Sequence, residues 1–321
     1  MILSSQYIDL IQEELKQLHI PDSPDNLYAP ISYFLNLKGK KIRPILTLLS
    51  AELFNGNINH AKHAALAVEI FHNFTLIHDD IMDEAPLRRG KPTVHEKWNT
   101  NIAILSGDVL MIKAYEQLAL CPPSALPSLI SLFNRTAIEV CEGQQMDMDF
   151  ETRDHVAHDE YIQMIKLKTS VLLGCALEMG AILCNTSLKN RSEIYQFGVN
   201  IGIAFQIQDD ILDVYGTGEK VGKQVGGDIL ANKNTLLSIF AETNANEVQL
   251  SELKKLKFEK NAALKINRTQ SIFDELEVKS KCNQVMQDYY QKALHHFNAI
   301  QPENKNTALL DLTDALMKRD F

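Results

Sequence analysis

An all-α fold is what this sequence predicts, and three observations carry the prediction. Apolar residues recur at helical spacing in segments such as Ala64-Ala65-Leu66-Ala67-Val68-Glu69-Ile70-Phe71 and Val171-Leu172-Leu173-Gly174-Cys175-Ala176-Leu177. No stretch shows the sustained period-two alternation of a strand. Proline and glycine punctuate the chain locally, without ever gathering into a linker.

Taken in order, Pro21-Asp22-Ser23-Pro24 ends a first helix. Gly39-Lys40-Lys41-Ile42-Arg43-Pro44 precedes another, whose first amides suit an anion. A long apolar helix then runs through Leu76-Ile77 into an acidic pentad and is ended by Pro86. Cys121-Pro122-Pro123 separates the next pair. A later helix carries a second acidic pentad and breaks at Tyr215-Gly216-Thr217-Gly218. Residues 221–228 are too glycine-rich for a helix and read as a mobile loop beside that pentad. From about Asn244 to Gln270 the chain is polar and weakly amphipathic, a surface helix and connector with no chemistry assigned. Val285, Met286, Tyr289 and Leu294 then recur at the spacing of ordinary core packing.

A chain of 321 residues is long enough for two domains, but with no linker to divide it the expectation is a single domain over residues 1–321. Apolar residues make up 45% of it, enough for a large core. The longest apolar runs fall far short of a membrane span. The N-terminus lacks the basic and apolar blocks of a signal peptide, so a cytoplasmic protein without stable membrane insertion is expected. Five cysteines show no paired spacing for zinc and read as free thiols. A net charge of −9 with a pI near 5.6 disfavours nucleic acid as a partner.

The chemistry lies in two pentads, Asp79-Asp80-Ile81-Met82-Asp83 and Asp209-Asp210-Ile211-Leu212-Asp213. In each, the first and last acids are one turn apart and about 40° around the helix axis, so they share a face. Like charges at this spacing destabilise a helix by about 0.2–0.5 kcal/mol per pair, and a cation offsets that cost. Both pentads follow strongly apolar sequence, which places them at the ends of core helices. Magnesium takes one or two carboxylates and fills its other positions with water and substrate phosphate. Two such turns therefore suit a multi-magnesium clamp for a diphosphate.

Cations belong near such a clamp, and they are present. Arg88-Arg89-Gly90 follows the first pentad, Lys223 and Lys233 follow the second, and Lys40 and Arg43 lie upstream. Glu69-Ile70-Phe71-His72 matches one half of a di-iron motif, but the second copy that architecture needs is absent from the sequence.

From about Leu37 to Thr235, the ordered motifs resemble the head-to-tail trans-isoprenyl (polyprenyl) diphosphate synthases. They are Gly39-Lys40 with Arg43-Pro44, Leu76-Ile77-His78 and the first pentad, Arg88-Arg89-Gly90 with Pro92-Thr93 and His95, and Ser106-Gly107-Asp108. Gly143-Gln144, Lys168-Thr169, Phe205-Gln206 with the second pentad, Gly222-Lys223, and Lys233 with Thr235 complete the set. Lys38 and Asn232 stand where the family usually has glycine.

The resemblance implies a single-domain helical bundle around a deep central cavity, with the pentads facing each other across its mouth, and a homodimer. It implies three magnesium ions, led by Asp79, Asp83 and Asp209, with Asp80 and Asp213 supporting. Lys168, Lys233 and Arg88 would grip an allylic diphosphate, with Lys223 closing from the loop. Isopentenyl diphosphate would lie against Lys40, Arg43, His72 and Arg89, with Phe205 packing on it. Thr169 and Gln206 would stabilise the cation formed during the reaction. Phe71, Phe74 and Thr75, at eight, five and four positions before Asp79, would set product length. Phe74 without an aromatic residue at Thr75 implies a twenty-carbon product, geranylgeranyl diphosphate, with fifteen-carbon farnesyl diphosphate as the alternative. Two other readings are weaker. A non-catalytic partner subunit would not keep both pentads, and a class I terpene cyclase carries a different second metal motif.

Overall fold

The computed structural model describes residues 2–216, 226–302 and 307–317. By internal contacts the chain divides into two compact units. The first comprises Met1–Asn134, Cys175–Tyr195 and Ile300–Leu312, and the second Arg135–Gly174, Gln196–Ala299 and Thr313–Phe321.

The first unit is built around one buried helix. Its leading elements are α1 (Ile2–Lys16), α2 (Asp25–Leu35), α3 (Ile42–Leu53) and α4 (Ile58–Met82). A two-stranded ladder of β1 (Leu87–Arg88) and β2 (Lys91–Pro92), then α5 (Val94–Lys97) and α6 (Thr100–Ala119), follow. In α4 the buried residues include Ala64, Ala65, Leu66, Ala67, Val68, Ile70 and Phe71, so apolar side chains wrap nearly the whole circumference. A helix of that kind needs neighbours on several sides, and α4 packs on both α3 and α6. Its start is fixed by the Asn57 side chain, which accepts from the Asn59 amide. The small ladder is the one β element among the described residues. It is too short to show in any pattern of alternation. Its two-residue turn, Arg89-Gly90, has φ of 53° and 73°, the left-handed pair that a tight hairpin requires.

The second unit holds most of α7 (Leu126–Glu151), α8 (His158–Ile165) and a five-residue π-helical turn, Lys166–Ser170. That turn continues into α9 (Val171–Leu183), and α10 (Leu188–Tyr215) carries the second pentad. Beyond residue 225 come α11 (Gly227–Leu230), α12 (Leu236–Asn244), α13 (Glu247–Leu256), α14 (Ala262–Glu275), α15 (Val278–Ala299) and α16 (Ala308–Met317). The π turn sits where two backbones nearly touch. A Cβ added to Gly143 would lie 2.2 Å from the Lys168 nitrogen, so only glycine allows this approach. The sequence reading of 244–270 as surface helix and connector holds in part: α13 and α14 occupy it, but Lys265 and Thr269 on α14 are buried.

Candidate active site

The first pentad closes α4. Asp83 is its C-cap, and its amide donates to the Asp79 carbonyl over 2.8 Å. Asp79 is half-buried and Asp83 exposed, whereas Asp80 turns inward and is 1% exposed. The Arg88 guanidinium, carried back by the β1 strand, donates from Nε to Asp80 Oδ1 at 2.8 Å. Burial raises the Asp80 pKa, and Arg88 counteracts part of that rise. The other carboxylate oxygen, Oδ2, is buried without a hydrogen-bond partner among the described residues.

Arg89, the next residue, goes elsewhere. Its Nη1 donates to the Leu37 carbonyl at 3.2 Å, which brings it to the loop before α3 that also carries Lys40 and leads to Arg43 in the first turn of that helix. Arg43 Nη1 lies 3.1 Å from His72 Nε2. Desolvation first, then Arg43, Arg89, Arg88 and Lys41, hold the His72 pKa well below its usual value. The imidazole is therefore neutral and can accept from Arg43. Lys41, unnoticed in the sequence, takes a left-handed conformation at φ 50° and buries its ammonium 2.9 Å from Glu69 Oε1. Asn73 donates to the same Glu69 oxygen at 3.1 Å. The first unit thus brings Arg88 onto its pentad with Arg89 close by, and sets Arg43 against His72, two turns before Asp79 on α4.

Along α4 from the pentad, Phe74 meets Phe71 with ring centroids 5.6 Å apart. Phe71 in turn meets Phe133 at 5.1 Å, and Phe133 meets Tyr115 at the same separation. Thr75 donates its hydroxyl to the His72 carbonyl at 2.9 Å and makes no part of this stack. Phe71 is 1% exposed, with Phe133 equally buried, and Phe74 is half-buried.

In the second unit, Asp209 and Asp213 are half-buried, while Asp210 turns inward. Asp210 accepts from the Tyr161 hydroxyl and from Gln206 Nε2, the latter at 3.1 Å. No arginine or lysine pairs with it among the described residues. Burial, with Asp228 second, pushes its pKa up to about 8. Gln206 also takes a hydrogen bond from the Thr169 hydroxyl at 3.2 Å, so Thr169, Gln206 and Asp210 form one chain. Lys168, on the π turn, donates to Asp147 Oδ2 at 2.6 Å. Asp213 is anchored twice, its Oδ2 accepting from the Asp228 amide at 2.9 Å and its carbonyl from the Gly226 amide at 2.7 Å. The Lys233 amide donates to the Asp228 carbonyl at 2.9 Å, so Lys233 belongs to the same turn. Asn232, just before it, has φ of 55°, which asparagine tolerates where glycine is usual. Phe205 is half-buried on α10, and Lys223 lies outside the described residues.

Among the described residues, no three acidic, histidine or cysteine side chains converge into a metal cage. The donors present fit magnesium nonetheless. They are carboxylate oxygens only, few per turn, and that ion keeps several positions for water and substrate phosphate.

Tyr161, Asp147, Asp228 and the Lys41–Glu69 pair were not anticipated. Tyr161 lies 49 residues from Asp210, and nothing in its own neighbourhood marks it. Gln144, noted only as part of a motif, buries both polar atoms of its amide with no partner among the described residues.

The sequence matches the Polyprenyl synthetase family over residues 24–276, more than half of the chain. It is 37% identical to the geranylgeranyl pyrophosphate synthase of Geoglobus acetivorans, over 97% of this chain and 96% of that one. It is 41% identical to the geranylgeranyl diphosphate synthase of Methanosarcina mazei over 74% of this chain and 73% of that one. The fold is similar to a crystal structure of geranylgeranyl pyrophosphate synthase, with a TM-score of 0.93, 43% identity and 99% of each chain covered. The motifs, the helical fold and these likenesses agree, and the chain belongs to the polyprenyl synthetase family of prenyltransferases.

Proposed function

We propose that this enzyme condenses isopentenyl diphosphate head-to-tail with allylic diphosphates and releases geranylgeranyl diphosphate. In this reading Asp79, Asp83 and Asp209 lead the binding of three magnesium ions, with Asp80 and Asp213 supporting them. When bound, those ions would neutralise the diphosphate and make it a better leaving group. Lys168, Lys233, Arg88 and Lys223 grip the allylic diphosphate. Lys40, Arg43, His72 and Arg89 hold the diphosphate of isopentenyl diphosphate, and Phe205 packs on its hydrocarbon.

The allylic C–O bond breaks, and its electron pair leaves with the diphosphate. The double bond of isopentenyl diphosphate attacks the allylic cation, forming the new C–C bond. A proton is then lost to the departed diphosphate. The Thr169–Gln206 hydrogen bond fixes two side-chain dipoles that stabilise the cation. Both half-sites work in one catalytic domain, and two copies of the chain form the active dimer in the cytoplasm. In support of the dimer, Leu105 and Ile112, two turns apart on α6, are 57% and 60% exposed. No helix among the described residues is long and apolar enough to cross a membrane.

The aromatic stack from Phe74 through Phe71 and Phe133 to Tyr115 carries the assignment of product length. It gives a growing chain a floor several rings thick behind the residue at position 74. Incubation with labelled isopentenyl diphosphate and separate allylic primers, followed by chromatography of the dephosphorylated products, tests it. Twenty-carbon product is expected from the wild type and longer products from Phe74→Ala, because each added isoprene unit buries more hydrocarbon at about 0.8 kcal/mol per methylene. Fifteen-carbon product from the wild type, or an unchanged distribution in Phe71→Ala/Phe74→Ala, overturns it.

A further inference from the structure

The segment expected to be surface helix and connector contains a buried cation. Lys265, on α14, is 5% exposed and lies at a small cavity of about 60 Å³ whose other walls include Val214, Asp228, Lys233 and Phe273. Among the described residues it has no acidic partner. Its Nζ donates instead to two backbone carbonyls, Leu230 at 3.1 Å and Lys257 at 3.4 Å. Desolvation lowers its pKa. A methionine or leucine would fill this space without the desolvation that an ammonium suffers, so packing alone does not explain the residue.

What it holds does explain it. Leu230 is the last residue of α11, a single turn whose Asp228 amide grips Asp213 and whose Asp228 carbonyl takes the Lys233 amide. Helix α14 also holds the end of α10. The Gln270 side-chain amide donates to the Val214 carbonyl, next to Asp213, and Asp274 accepts from the Tyr215 hydroxyl at 3.0 Å. Helix α14 therefore braces both the end of α10 just after Asp213 and the α11 turn whose amide grips that acid.

We propose that Lys265 is a positioning residue: by tying the Leu230 carbonyl to the Lys257 carbonyl it sets the α11 turn, and through the Asp228 amide it fixes Asp213 and Lys233 for the magnesium-bound diphosphate. This rests on the metal role proposed above for the second pentad. Loss of the ammonium frees the turn without removing any group that touches substrate. Indirect supports of metal ligands are typically worth about 10- to 100-fold in metal affinity.

The test uses the full-length protein, with Mn²⁺ binding in the presence of inorganic diphosphate followed by electron paramagnetic resonance. The magnesium midpoint of turnover and the melting temperature are measured alongside. Lys265→Met should weaken Mn²⁺ binding and raise the magnesium midpoint about tenfold. At saturating magnesium its kcat should stay within about threefold of wild type, because the reacting groups are intact. Lys265→Arg, which keeps a cation and its donors, should recover most of the affinity. A folded Lys265→Met with wild-type Mn²⁺ affinity and magnesium midpoint overturns the proposal, as does a loss of thermal stability alone. Should Lys265→Met fail to fold, Lys265→Gln, with one amide donor left for Leu230, is judged by the same criteria. Asp209→Ala separates the two levels. If it binds Mn²⁺ as wild type does, the metal role of the second pentad fails and this inference falls with it; if it loses Mn²⁺ while Lys265→Met does not, only the inference fails.

Discussion

The two pentads have nearly the same sequence and opposite surroundings. At the first, the inward-facing acid Asp80 is met by the Arg88 guanidinium, and Arg43, Arg89, Arg88 and Lys41 add to burial in depressing His72. At the second, the equivalent acid Asp210 is met by a phenol and an amide, while Asp228 and Asp209 push its pKa further up. One setting is positive and the other negative. The outer acids of each pentad share a motif, but the inner acid reports what lies behind it. The first half-site can meet an anionic substrate with arginines directly, whereas the second is suited to draw cations first.

The largest test removes the shared feature. Asp79→Ala and Asp209→Ala should each lower kcat by about 10²–10³ or more, the usual cost of losing one key electrostatic group. Circular dichroism should show the helical fold intact. Near wild-type turnover of either variant at saturating magnesium would mean that its pentad is not a metal site. Chelator should abolish activity in the wild type and added magnesium restore it.

The inner acids should then behave differently. Asp80→Asn leaves Arg88 without its carboxylate and should destabilise the protein by about 2–4 kcal/mol in urea denaturation, as for breaking a largely buried ion pair. Asp210→Asn exchanges two neutral-donor hydrogen bonds for others and should shift stability by about 1 kcal/mol or less. Equal losses in the two variants would erase the contrast.

Kinetics sharpen it further. Arg89→Ala should raise the KM for isopentenyl diphosphate about tenfold, since a charge-assisted hydrogen bond is worth about 1.5–3 kcal/mol. Lys233→Ala should act mainly on the allylic substrate. Equal effects on both substrates in both variants would refute the division of labour between the half-sites.

The smallest effect is in the pH dependence of stability. The folded-state pKa of His72 lies below its unfolded value of 6.5, so the unfolded chain binds the proton more readily. The contribution of this group to stability is therefore complete above that value and declines as pH falls below it. His72→Gln should flatten that part of the profile. An unchanged profile would mean that burial and the positive field at the first half-site do not together hold His72 neutral.

The helices were legible in the sequence because apolar periodicity and proline or glycine breaks are local signals. The outer acids were legible too, because i and i+4 fix a shared face wherever the helix lies. What stayed hidden depends on contacts that local sequence does not encode. The Asp80–Arg88 pair is set by a hairpin of two-residue strands, far below the length at which alternation can be read. The partnership of Asp210 with Tyr161 joins separate helices, and the π turn at Lys166–Ser170 has no compositional mark. Lys265 was passed over because a lysine in a polar stretch reads as solvated, and only the fold shows it buried.

The Arg89-Gly90 reversal makes neighbours in sequence diverge in space. Arg88 is sent back to the pentad, while Arg89 is handed to the Leu37 carbonyl on another segment. The pair is thus a sorter rather than a patch: two identical side chains receive different addresses from the geometry of one turn. Charge composition is unchanged if a residue is inserted between them or if the turn is lengthened, yet the addresses are lost. A dipeptide that looks redundant in the sequence has no spare copy in the fold.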